Sequence, residues 1–179
     1  MTLLPYELET VVSDMHRAKD AKLYYPSLLV ALTLPEICSG LLMPKSKFVK
    51  RADYIRFVDT YSSPRELGLD GQSCYQLRGG LVHKGDLRSH AFLKETHVIF
   101  SLPETKSKLH AFSIESGEKK AAMFDLLLFL GAMDTAVRRW YTANSGEPLL
   151  KENLPNLIRY SPTGVHPFTS GLPAIVSGK

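Results

Sequence analysis

Two cysteines, a single tryptophan and no uninterrupted apolar stretch of bilayer length are the scarcities of this sequence, and each narrows what the chain can be. The longest apolar run, Met123 to Met133, is broken by Asp125 and falls well short of the roughly 20 residues that cross a membrane. It reads as a buried core helix, and no membrane partner is expected. Cys38 and Cys74 each lie among apolar residues, and no secretory signal opens the sequence, so both are expected to be reduced core thiols of a cytoplasmic protein. His83, His90 and His97 recur every seven residues, but they span a change from helix to loop to strand. No carboxylate or cysteine cluster accompanies them, so neither a metal site nor a cofactor is expected. Internal repeats and low-complexity tracts are also missing. The charge excess is small: a formal +4 permits an anionic partner such as RNA without demanding one.

What is present suits one domain, since 179 residues at 44% hydrophobic can bury one good core. Leu4, Leu8, Val11, Val12, Met15 and Ala18 recur at three and four and predict a first amphipathic helix. A second begins near Tyr25-Pro26 and continues to Leu42 before Pro44, with a kink or short break expected at Pro35, whose ring removes a backbone donor. Ser46 is the expected cap of a third helix running to about Ser62, with Phe48, Ile55, Val58 and Tyr61 inward and Lys47, Lys50, Arg51 and Arg56 outward. Asp70 is the expected cap of a fourth, carrying Cys74, Leu77 and Leu81 on its inner side. Thr96–Leu102 and Lys108–Ile114 then read as a β-hairpin. Ser116 is expected to cap a long helix to about Ala143, apolar around most of its circumference and therefore central. From Asn144 on, periodicity fades and an extended tail is expected, wrapping the domain or a partner.

The fourth helix carries the stretch Leu77-Arg-Gly-Gly-Leu-Val-His-Lys-Gly-Asp86, where a permanently charged guanidinium and a titratable imidazole flank paired glycines. Arg78 can hold a phosphate bidentately, and His83 can pass protons near neutral pH. Residues five apart on a regular helix diverge by roughly 140° around its axis. Either the helix ends or distorts near Gly79-Gly80, or a two-fold partner completes the pair. Each glycine inside a helix costs about 1 kcal/mol relative to alanine. That cost points to close approach of a second backbone, for which Gly79 and Gly80 are the structural candidates.

The segment YQLRGGLVHKG, with Arg78 and His83 at the motif positions, resembles the HEPN superfamily, and ALTLPEICSGLL in the second helix strengthens the likeness. The element layout agrees over roughly Leu4 to Tyr141. The resemblance implies a mainly α fold: a HEPN-like bundle of four to five helices over residues 1–144, with a small hairpin at about 96–114 inserted before the last long helix. Residues 145–179 would form the tail. It further implies a homodimer that faces its two motifs across a cleft and cleaves RNA without metal through Arg78 and His83, as toxins and phage-defence effectors do. The sequence departs from the family at Gly79, where many active members place asparagine. It departs again at Gly85, where one subgroup places a tyrosine modified by a partner enzyme.

Around the motif, Lys84, Tyr75, Lys50 and Arg51 are the candidate substrate-binding residues, by charge and by stacking. Each has a plain alternative: bundle packing for Tyr75, a solvated face for Lys45, Lys47, Lys50 and Arg51, and helix-dipole complementarity for His83 and Lys84. Asp86 is placed either to orient His83 or to cap the next turn. His97 and His110 read as hairpin surface residues. The readings that compete with an endoribonuclease are a non-catalytic HEPN-like module that binds nucleotide or RNA or holds a dimer, and an antitoxin-like partner that grips a second protein with its tail.

Overall fold

The computed structural model describes residues 3–87, 96–105 and 109–178, so His90, Lys108 and the centre of the connection at 106–107 fall outside the described part. The chain is mainly helical. Helices α1 (Tyr6–Asp20), α2 (Tyr24–Leu41), α3 (Arg51–Tyr61), the short α4 (Pro64–Leu67) and α5 (Gly71–Lys84) precede a sheet. Strands β1 (Thr96–Ser101), β2 (Phe112–Ser116) and β3 (Lys119–Asp125) lead into α6 (Leu126–Asn144) and α7 (Pro148–Asn153). A 3-10 turn at Leu154–Asn156 and a two-stranded ribbon, β4 (Arg159–Ser161) with β5 (Ala174–Val176), follow.

The stripes read from periodicity do face the core: Leu8, Val12 and Met15 of α1 are buried against α2, and Leu77 and Leu81 of α5 are buried with Cys74. Both cysteines are free and buried, and burial pushes both thiols well above their ordinary values. α2 runs unbroken through Pro35. Proline offers no N–H to the carbonyl of Ala31; one residue further, the carbonyl of Leu32 accepts the Tyr54 hydroxyl at 2.8 Å. α2 touches α1, α3, α5, α6 and α7 and occupies the centre. α6, expected there, leaves Leu127 and Leu128 exposed at 39% and 46%.

Three local expectations are corrected. α3 begins at Arg51, where the Lys50 amide donates to Asp53 at 3.0 Å, and Ser46 caps nothing. Residues 47–50 precede the helix instead of belonging to it, and Phe48 is exposed instead of inward. The long helix starts at Leu126 with Asp125, not Ser116, as its cap, accepting from the Leu128 amide at 2.9 Å. Lys119–Asp125 is a strand that turns back on β2 through Gly117, whose φ of +59° suits a tight reversal. The expected hairpin partners therefore do not pair: β3 lies between them, parallel to β1 and antiparallel to β2. Phe100 of β1 seats this sheet on the bundle, 5.5 Å from Phe124 and 5.3 Å from Phe129 between ring centroids.

The C-terminal segment folds back on its own bundle. Leu150 is buried, and the Asn153 amide donates to the carbonyls of Leu41 at 3.1 Å and Met43 at 2.8 Å, closing the end of α2. β4 reaches α1.

Candidate functional site

α5 is fixed at both ends. Asp70 accepts from the Ser73 amide at 2.8 Å, and Gly71 sits so close to α3 that an added Cβ would stand 2.6 Å from the Ile55 carbonyl oxygen. At the other end Gly85, at φ +62°, turns the chain out and the Asp86 amide donates to the Gly80 carbonyl at 3.2 Å. The helix is continuous from Gly71 to Lys84, so it neither ends nor breaks at Gly79-Gly80. Gly80 is buried, whereas the Cβ position of Gly79 meets nothing within 4 Å.

With the helix regular, Arg78 and His83 part company as the helical geometry requires. Arg78 turns toward α2, where its guanidinium donates to Glu36, and its side chain keeps only 17% exposure. Its Nε is buried without a hydrogen-bond acceptor among the described residues. His83 and Lys84 are exposed at the end of the helix. Glu36 is the partner at the candidate site that the motif alone does not reveal. A signal for it exists: it is the only charged residue in α2, and a lone charge in an otherwise apolar central helix needs a partner. Beyond Arg78, Glu36 also lines an open groove of about 560 Å³ with Ile37, Lys45 and Asn153.

The Tyr54 ring lies behind the pair, edge-on to Tyr75 at 5.4 Å. Burial pushes the Tyr54 hydroxyl well above its ordinary value, Cys74 and Glu36 add to this, and Arg78 opposes it. Tyr75 is half-buried, and the Arg51 guanidinium lies over its ring 6.0 Å from the centroid while donating to Gln72 at 3.1 Å through Nε. The structure thus joins Arg51 to Tyr75 on one face of α3 and α5. Lys50 is exposed beside them at the head of α3.

Among the described residues no group of three or more His, Cys, Asp or Glu side chains is arranged to hold a metal ion, and no helix is long and apolar enough to cross a membrane. His97 is exposed, but His110 is not a surface ornament: it bonds Glu66 and Asp125 from a half-buried position. A second charged cluster escaped sequence reasoning altogether. His16 Nε2 lies 3.1 Å from Asp134, Arg138 donates to Asp134 at 2.7 Å, and its two terminal nitrogens each reach Glu9 at 3.1 Å.

The chain matches no protein-family model, no curated protein and no solved structure.

Proposed function

We propose that this chain is a HEPN-like, homodimeric RNA-binding protein of the cytoplasm in which α5 meets its copy and Arg78 serves as a structural cation between helices. The observation that supports this best is the Arg78–Glu36 pair, part-buried between α5 and α2, with His83 exposed five positions further along an unbroken helix. A guanidinium already bound to a carboxylate has lost much of the net charge that would stabilise a phosphoryl oxygen. Freeing it would leave Glu36 as an uncompensated, partly desolvated anion. The open Cβ position of Gly79, one turn before His83, leaves a close-approach surface on the outer face of α5 that suits a second helix.

A second reading, a metal-independent endoribonuclease of the toxin or phage-defence kind, is favoured by the exposure of the pair: Glu36 keeps 34% of its side chain open to solvent. A second copy could bring its His83 to that edge. His83 would then take the proton of a ribose 2′-hydroxyl as its oxygen attacks the adjacent phosphorus, with Arg78 on the phosphoryl oxygens. The 5′-oxygen would leave with a proton, giving a cyclic phosphate and a 5′-hydroxyl.

Incubation of the pure protein with structured and unstructured RNAs in a chelator, alongside His83→Ala and Arg78→Ala variants checked for folding, decides between them. Binding without cleavage supports the RNA-binding dimer. Cleavage lost in both variants supports the enzyme, and sedimentation as a monomer at micromolar concentration removes both readings.

A further inference from the structure

The connection between α2 and α3 holds a feature that the motif does not use. Phe48 is 89% exposed, in the run Lys45-Ser-Lys-Phe-Val-Lys50, and Lys45, Lys47 and Lys50 are exposed around it. Val49 is the residue of this run turned inward, against α2 at Gly40, while Phe48 and Lys50 on either side of it are exposed. An apolar ring held in water gains nothing for the fold, since burial is what makes it favourable. The three lysines have no carboxylate partner among the described residues. The strip continues: Arg51 follows at the head of α3, and its guanidinium lies over Tyr75 on the face of α5 that also carries Gly79 and His83.

We infer that Phe48, with Lys45, Lys47, Lys50 and Arg51, forms a binding site for single-stranded nucleic acid that leads onto the outer face of α5. Single strands are held by cations that follow the phosphates and by rings on which unpaired bases stack. Both are present in the right order here. A membrane surface fits less well: Phe48 is the sole large apolar side chain exposed in this connection, and the strip continues into planar hydrogen-bonding groups instead of an apolar face. The inference deepens the RNA-binding reading and rests on it, because it assigns where the strand enters.

The test is fluorescence anisotropy with labelled uridine RNA and thymidine DNA of about 12 nucleotides, a length at the scale of known single-strand sites, together with a duplex of the same length. Both single strands are expected to bind better than the duplex; a preference for RNA over DNA would place the 2′-hydroxyl in the site. Phe48→Ala is expected to weaken single-strand binding about tenfold, and Phe48→Tyr to retain it. Lys45, Lys47 and Lys50 changed together to glutamine are expected to reduce the slope of log affinity against log salt by about 2. All variants should melt with the wild type, because the altered side chains are exposed. Binding that is indifferent to Phe48 and the lysines overturns this site while leaving the RNA-binding reading intact. Absence of any nucleic-acid binding, or binding only to anionic vesicles, overturns both.

Discussion

His110 joins the loop before β2 to two helices at once: its Nε2 donates to the Glu66 carbonyl at 2.9 Å, and its Nδ1 accepts the Asp125 amide at 3.2 Å. A carbonyl only accepts and an amide only donates, so this imidazole is the neutral Nε2–H tautomer. Asp125 is the residue that caps α6, and the Glu66 carboxylate is held by Arg139 of the same helix at 3.0 and 3.3 Å.

His110→Ala is accordingly expected to destabilise the protein by about 1–3 kcal/mol, chiefly the cost of leaving the part-buried Asp125 amide without a partner. His110→Gln should recover part of that loss. Urea unfolding at neutral pH measures both, and a variant with wild-type stability would show that the two bonds contribute nothing.

The charged cluster between α1 and α6 gives the fold an acid-sensitive joint. Burial pushes the Asp134 carboxyl up, but the His16 hydrogen bond and the Arg138 charge outweigh it and hold the group below its usual value. A folded value below the unfolded one means that the ionised form favours the native state. The contribution is complete above the unfolded aspartate value of about 3.9 and is lost as pH falls through the lower folded value. Asp134→Asn should cost about 1–3 kcal/mol at pH 7 and flatten the acid limb of the stability profile. Denaturant midpoints collected from neutral pH downward would reveal an unchanged acid limb if the cluster were inert.

Breaking the α2–α5 pair should cost more than removing it whole. Arg78 and Glu36 retain 17% and 34% side-chain exposure, so solvent screens part of the interaction. Glu36→Ala is expected to lose about 1–2 kcal/mol because Arg78 keeps a partly desolvated charge. Glu36→Leu combined with Arg78→Met should recover much of that loss. A double-mutant cycle by urea unfolding supplies the coupling, and additive single changes would mean that the pair is only a surface contact.

Two glycines of α5 should respond oppositely to alanine. At Gly71 the new methyl would press on the Ile55 carbonyl, and about 2 kcal/mol or more of destabilisation is expected. At Gly79 nothing obstructs it, and a gain approaching about 1 kcal/mol follows from helix propensity. If α5 packs against its copy, Gly79→Leu should instead shift sedimentation toward monomer. Monomer stability and sedimentation together separate the local effect from the interfacial one.

α1 and α5 were legible because they present repeating apolar faces, and Asp70 advertised the start of α5 by its side-chain chemistry. In α3 the face that is buried is Tyr54, Phe57 and Val58, of which only Val58 is inward by the sequence reading. The segment from Thr96 to Asp125 was not, because its decisive contact is a parallel pairing of β1 with β3, between segments that are not neighbours in sequence. Lys119–Asp125 contains Ala-Ala-Met-Phe, a short apolar run whose period suits helix and strand alike, and strand pairing settled it. The motif's residue types could be read locally, whereas the orientation of Arg78 depended on Glu36, 42 positions earlier. The His16–Asp134 contact spans 118 positions and left no local trace.

The position of α2 has a consequence for how the molecule opens. Five helices contact it, so the amides of its fully buried residues Ala31, Leu32, Leu34 and Cys38 are expected to exchange only on global unfolding. The β4–β5 ribbon has Tyr160 and Ile175 in the open at 51% and 75%, and its amides are expected to exchange faster than those of that interior. One chain therefore contains two clocks, a slow one in its central helix and a fast one at its C-terminal edge.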